Sequence, residues 1–220
     1  MSSELRLHRY ALAAASVPLA TMATTQSAVA DIVYEEVGIT IGGFVAEPGY
    51  VNIAVGDFGS IGFIAGHNSS GPEFLFAGLA SKSGSSFGPI GFHANLESSK
   101  LPEFQRFGAG DLIGSTSKAF PVALGVKGSD GKGGFGPFDD GGFGYLGLQI
   151  ESQSLGGFEY NYGWVGVDWN VSTFELTISG FAYETNAGVA IEAGAIPAPG
   201  ALGLFGLAAG AAGIRRKRSI

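Results

Sequence analysis

Phe174-Glu175-Leu176-Thr177-Ile178 alternates large apolar and polar side chains without a break, the period of a strand with one face in a core and the other in water. Upstream, Phe158 to Trp169 carries the same period with more aromatic residues. Phe158, Tyr160, Tyr162 and Trp164 share one face, and Val165, Val167 and Trp169 point to the other, a change of phase that a bulge near Gly163 or Gly166 would reconcile. Further out, short β-branched and aromatic runs bounded by Gly, Pro, Asn and Ser recur over Ile32 to Ile41, Tyr50 to Val55, Ile61 to Ala65, Phe74 to Ala77 and Ile90 to Ala94. They continue over Ala119 to Leu124, Tyr145 to Glu151, Thr173 to Tyr183 and Val189 to Glu192. No stretch of this body sustains a helical period. The fold class is therefore all-β, an antiparallel two-sheet sandwich of jelly-roll-like type. Two segments interrupt the strands: Ser81 to Gly88, a Ser/Gly-rich long turn, and residues 125 to 144, whose low complexity predicts a mobile loop.

The 220 residues suffice for one domain with a self-supporting core, and 38 of them are glycine. Between Asp31 and Ala195 six basic residues face eighteen acidic ones, a net charge of −12. Such a field repels phosphate backbones and argues against nucleic acid as a partner; cations or neutral glycans are compatible with it. The absence of cysteine excludes disulfides, thiolate metal sites and cysteine nucleophiles.

The two ends differ from this body. Arg6, His8 and Arg9 precede an apolar run from Tyr10 to Ala23, and Ala28-Val29-Ala30 stands before Asp31. Positive charge, an apolar block and small residues at Ala28 and Ala30 are the parts of a secretory signal helix cleaved before Asp31. At the other end Ala195-Ile196-Pro197-Ala198-Pro199-Gly200 leads into fourteen uncharged residues, Ala201 to Ile214, and then Arg215-Arg216-Lys217-Arg218. As a helix those fourteen residues would reach roughly 21 Å, short of a hydrocarbon core of roughly 30 Å unless the basic side chains snorkel. The basic cluster should remain on the cytoplasmic side and act as a stop-transfer signal. The expected organisation is a signal peptide over 1–30, a Gly-rich β body over 31–194 and a sorting or membrane-anchoring tail over 195–220.

Pro197-Ala198-Pro199, the apolar run and Arg215 to Arg218, in that order, resemble the PEP-CTERM sorting signal, also described as an ice-binding protein C-terminal domain; the likeness spans about residues 195 to 219. Pro197 and Pro199 match the two prolines of that family's motif, and Ala198 stands where Glu is usual. The resemblance implies an inner-membrane, exosortase-like sorting protease as partner and makes this chain its substrate. Proline's fixed φ and missing N–H keep Ile196 to Pro199 extended in any case. Tyr162-Gly163-Trp164, Tyr183-Glu184 and Ile191-Glu192-Ala193-Gly194 are similar to the ending of many bodies in that family, which implies a closing β-hairpin before the tail.

Motifs for chemistry are sparse. Gly84-Ser85-Ser86-Phe87-Gly88 satisfies the nucleophile-elbow spacing but lacks a strand before it and a helix after it. Asp130, Asp139 and Asp140 offer oxygen ligands for calcium, yet their spacing fits neither an EF-hand nor an acidic glycine repeat, and a solvated acidic loop is the reading preferred. His67 and His93 have no partner in sequence that would define a metal site or a catalytic base, and they read as turn or surface residues. Tyr160, Tyr162 and Trp164 read as core, with a glycan-stacking platform as the alternative. The expected function is thus a non-enzymatic, exported cell-surface or extracellular-matrix protein without cofactor, membrane-anchored before processing. The alternative is a carbohydrate-binding module for matrix polysaccharide.

Overall fold

A computed structural model describes residues 31–45, 47–68, 70–81, 90–96, 101–116, 118–129, 132–154 and 157–197. The signal segment, most of the sorting tail, Ser86 and Asp130 lie outside them. Among the described residues there is no helix, and sixteen strands are present. They are β1 (Ile32–Gly42), β2 (Phe44–Val45), β3 (Gly49–Val55), β4 (Gly59–Asn68), β5 (Glu73–Ser81), β6 (Ile90–Asn95), β7 (Glu103–Phe104) and β8 (Arg106–Phe107). There follow β9 (Leu112–Ile113), β10 (Ala119–Phe120), β11 (Val122–Ser129), β12 (Gly133–Phe135), β13 (Gly142–Ser154), β14 (Gly157–Asn170), β15 (Glu175–Glu184) and β16 (Ile191–Glu192).

Every stretch expected to be a strand is one in whole or in part; the two-residue pairings β2, β7, β8 and β9, and the short β12, were not expected. The fold is all-β and mostly antiparallel, but its hydrogen bonding does not divide the strands into two large sheets. Fourteen strands share one sheet: its main path runs β1-β15-β14-β13-β6-β7-β11-β5-β4-β2, with β10 on β6, β12 on β11, β3 on β4 and β8 on β13, and β16 pairs with β9 apart from it.

The two ends of that path are consecutive pieces of chain. β1 pairs with β15 from Ile32↔Glu184 to Gly42↔Glu175, and β2 pairs with β4 through Phe44↔His67. Gly43 joins them, its N–H donating to Phe174 O at 2.8 Å while its carbonyl accepts from His67 N at 2.9 Å. One run of fifteen or so residues thus draws the sheet nearly into a barrel. Gly42 makes this possible. Its φ is +99°, and a Cβ there would stand 3.2 Å from the Ala65 backbone and 2.5 Å from Phe174 O.

Inside the curled sheet lies a phenylalanine-rich core. Phe63, Phe76, Phe92, Phe104, Phe138 and Trp169 are buried together, with Phe92 and Phe104 edge to face at 5.0 Å and Phe76 and Trp169 stacked at 6.0 Å. Leu176 and Ile178 are buried as the alternation in the opening pentapeptide required. Phe174, its first residue, precedes the strand in a turn with φ +55°, where Asn170 accepts the Phe174 N–H at 2.8 Å.

No bulge interrupts β14 in its ladder with β13. Simple alternation places Tyr162 and Trp164 on the outer face and Val165, Val167 and Trp169 on the inner one, and each half of the strand is covered by a different core. The register shift lies in β15 instead, between Gly166↔Gly180 and Val167↔Ile178, with Ser179 as the extra residue.

The stretch from Pro137 to Phe143 of the segment expected to be a mobile loop is held. Phe138 is fully buried, packed edge to face on Phe76 at 5.5 Å. Arg106 donates to Pro137 O at 3.1 Å, Gly141 O at 3.0 Å and Phe143 O at 2.9 Å, and its guanidinium lies 4.5 Å from the Phe138 ring centroid. Composition alone hid this, because one buried ring and one forked donor supply what the glycines lack.

Candidate functional site

Strand register assembles the outer face of the sheet. Gly91 stands opposite Gln149 and Gln149 opposite Tyr162, while Gly147 stands opposite Trp164 and Trp164 opposite Ala182. Half of this face carries a second core: Phe107, Ile113, Tyr162, Trp164, Ala182, Ile191 and Ala193.

Its lid is the end of the described chain. Ile191↔Ile113 and Glu192↔Leu112 pair; Ala193 N donates to Asp111 O at 2.8 Å, and Gly110 N to Ala193 O at 2.9 Å. Trp164 Nε1 donates to Ala195 O at 3.0 Å. Beyond that bond Ile196 is 59% exposed and Pro197 is exposed as well.

His93 lies under the same cover. Neither of its ring nitrogens finds a hydrogen-bond partner among the described residues, and the ring is edge-on to Tyr162 at 6.1 Å and Phe107 at 6.2 Å. A Cβ at Gly147 would come 2.9 Å from Phe107 and 3.1 Å from His93, so the strand beneath must be bare there. Burial lowers the imidazole from 6.5 to about 4, which leaves it neutral at pH 7. His67 is also buried, its ring 4.7 Å from Phe174 and 4.8 Å from Phe44. Neither histidine is the surface residue that the sequence suggested, since each replaces an aromatic ring in an aromatic cluster. Near the first strand, burial raises the Tyr183 hydroxyl, and the charges of Asp57 and Glu35 add to the effect.

Next to the second core the outer face is open. A cleft of about 420 Å³ is lined by Ser115, Lys118, Ala119, Phe120, Gln149, Tyr160 and Tyr162. A depression of about 340 Å³ shares Tyr160 and Tyr162 and adds Glu159, Ala187 and Gly188, while one of about 550 Å³ shares Lys118 and adds Asn95, Gln105 and Thr116. The cleft thus adjoins each of the two depressions through residues they share.

The candidate residues from sequence are dispersed. Tyr162 and Trp164 are each only 4% exposed, so the three-ring platform with Tyr160 is not available for stacking: the lid covers Trp164, and only Tyr160 keeps part of its surface. Asp139 and Asp140 are exposed, and Asp140 Oδ1 pairs with Arg106 at 2.9 Å. Among the described residues no three His, Cys, Asp or Glu side chains gather where a metal ion would bind. Pro197 is described, whereas Ala198, Pro199, Gly200 and Arg215 to Arg218 are not; Asp31 is exposed, and Ala28 and Ala30 fall outside the described residues. Gln149 and Lys118 converge only through strand pairing, and no local motif marks them.

The chain matches no protein-family model, and neither a curated protein nor a solved structure is significantly similar to it.

Proposed function

We propose that this chain is a non-enzymatic, exported cell-surface or extracellular-matrix protein, sorted through a C-terminal signal of the exosortase-read type. The observation that carries the reading is the end of the fold. Pinning by Trp164 stops at Ala195, and Ile196 and Pro197 stand exposed where the Pro-Ala-Pro motif begins. A processing enzyme would therefore meet Pro197, the first residue of the motif, without unfolding the body. The charge order of the two apolar end segments supports the same destination. In this reading an inner-membrane sorting protease is the partner, the tail anchors the chain in the membrane until it is cut, and the curled sheet faces itself across the core as a flattened, sandwich-like barrel.

Fractionation of cells producing the chain with an epitope tag in the β9–β10 region tests the proposal. Recovery in the envelope or medium, with Asp31 as the mature N-terminus by mass spectrometry, is the expected result. Recovery only in the cytosol with both ends uncut would overturn it.

A further inference from the structure

We propose that the groove over the outer face of β6, β13 and β14 binds a neutral oligosaccharide, with Tyr160 as its stacking surface and the Gln149 amide as its principal hydrogen-bonding group. This does not rest on the sorting proposal.

The first argument is convergence. The side chains of Ser115, Lys118, Gln149, Tyr160 and Tyr162 line one cleft of about 420 Å³, within the size range of small-ligand sites. None of these side chains hydrogen-bonds to another described residue. Of the two tyrosines Tyr160 keeps open surface beside the Gln149 amide, while Tyr162, only 4% exposed, forms the wall behind it.

The second is chemical match. A pyranose ring presents an apolar C–H face and a rim of hydroxyls. A half-buried tyrosine offers an amphipathic ring for that face, and an amide both donates to and accepts from neighbouring hydroxyls. Charge selects the class of sugar. Lys118 at one end is balanced by Glu159 at the other, and the body's excess of acids repels polyanions. The adjoining depressions of about 340 and 550 Å³ extend the site beyond a single ring, which favours a chain of sugars over a monosaccharide.

The third is rigidity. Gln149, Tyr160 and Tyr162 sit on β13 and β14, whose ladder runs from Gly142↔Trp169 to Ser154↔Gly157 without a register shift. Little ordering is then lost on binding.

The test is calorimetric titration of the purified chain with cellohexaose, mannohexaose, maltohexaose and laminarihexaose, and with oligogalacturonate as an anionic contrast. At least one neutral hexasaccharide should bind. Tyr160→Ala and Gln149→Ala should each weaken that binding about tenfold, the loss of roughly 1.4 kcal/mol expected for a stacked ring or a good hydrogen bond. Tyr50→Ala, at an exposed tyrosine of β3, should leave it unchanged. Should Tyr160→Ala disturb folding, Gln149→Ala, at a half-buried amide outside both cores, decides alone. Failure of all four neutral sugars to bind, preference for oligogalacturonate, or binding indifferent to Gln149→Ala would each overturn the proposal.

Discussion

Replacing His93 by leucine should change not only stability but its dependence on pH. In the folded chain burial holds the imidazole at about 4, whereas in the unfolded chain it titrates near 6.5. Between these values the unfolded state takes up the proton and the folded state does not, so stability falls as pH drops through this window. Above pH 6.5 the group adds no pH dependence, and below about pH 4 its penalty is complete at about 3 kcal/mol. Leucine of similar size cannot titrate and carries no orphaned nitrogen. At about pH 7.5 the variant should match or exceed the parent by about 1 kcal/mol, the cost of a buried polar group without a partner. At about pH 5 the gap should have widened by about 2 kcal/mol, because the parent alone bears the linkage penalty. Urea unfolding followed by tryptophan fluorescence measures both points, and Trp164 reports from the same core. Carboxylates titrate in both proteins and cancel in the difference. A gap constant to within about 0.5 kcal/mol across that range would show that the imidazole reaches water or a partner, and would refute the reasoning.

Three further outcomes follow from the packing. Gly42→Ala should destabilise the fold by about 2 kcal/mol or more in urea, since φ is +99° and the methyl group would press on the Ala65 and Phe174 backbones. Arg106→Lys should cost about 2 kcal/mol and speed amide exchange over residues 136–143, because an ammonium cannot reach three carbonyls at once; Asp140→Asn, at an exposed pair, should cost under about 1 kcal/mol. Trp164→Phe removes the bond to Ala195 while keeping a ring, and limited proteolysis should then cut within residues 189–195, which the parent protects.

The strands were legible because alternation is a local property. Residues 174 to 178 announce a core-facing edge whatever surrounds them. What could not be read was partnership. β8 and β9 are two-residue pairings whose only signal is a distant strand, and Arg106 looks like any charged residue until the carbonyls of residues 137–143 are folded around it. The phase change expected in β14 has a related cause: apolar residues on both faces read as one buried face that changes side, whereas two cores cover the two faces. The candidate site shows the same limit. Tyr160 was noticed for its ring, but Gln149 and Lys118 reach it only through β13 and β10, and no spacing in the chain records that. The core reading preferred for Tyr162 and Trp164 agrees with their burial, and the alternative, a glycan platform of these two with Tyr160, is closed off by a segment that comes 31 residues after Trp164, at Ala195.

The seam at Gly42 and Gly43 also dictates an order of events. The opening strand has its ladder partner only when Glu175 to Glu184 has been synthesised, so this seam joins the two most distant parts of the large sheet. That strand's hydrogen-bonding edge is open until then, and Glu35 and Glu36 give that edge the charge that discourages it from pairing with a neighbour's.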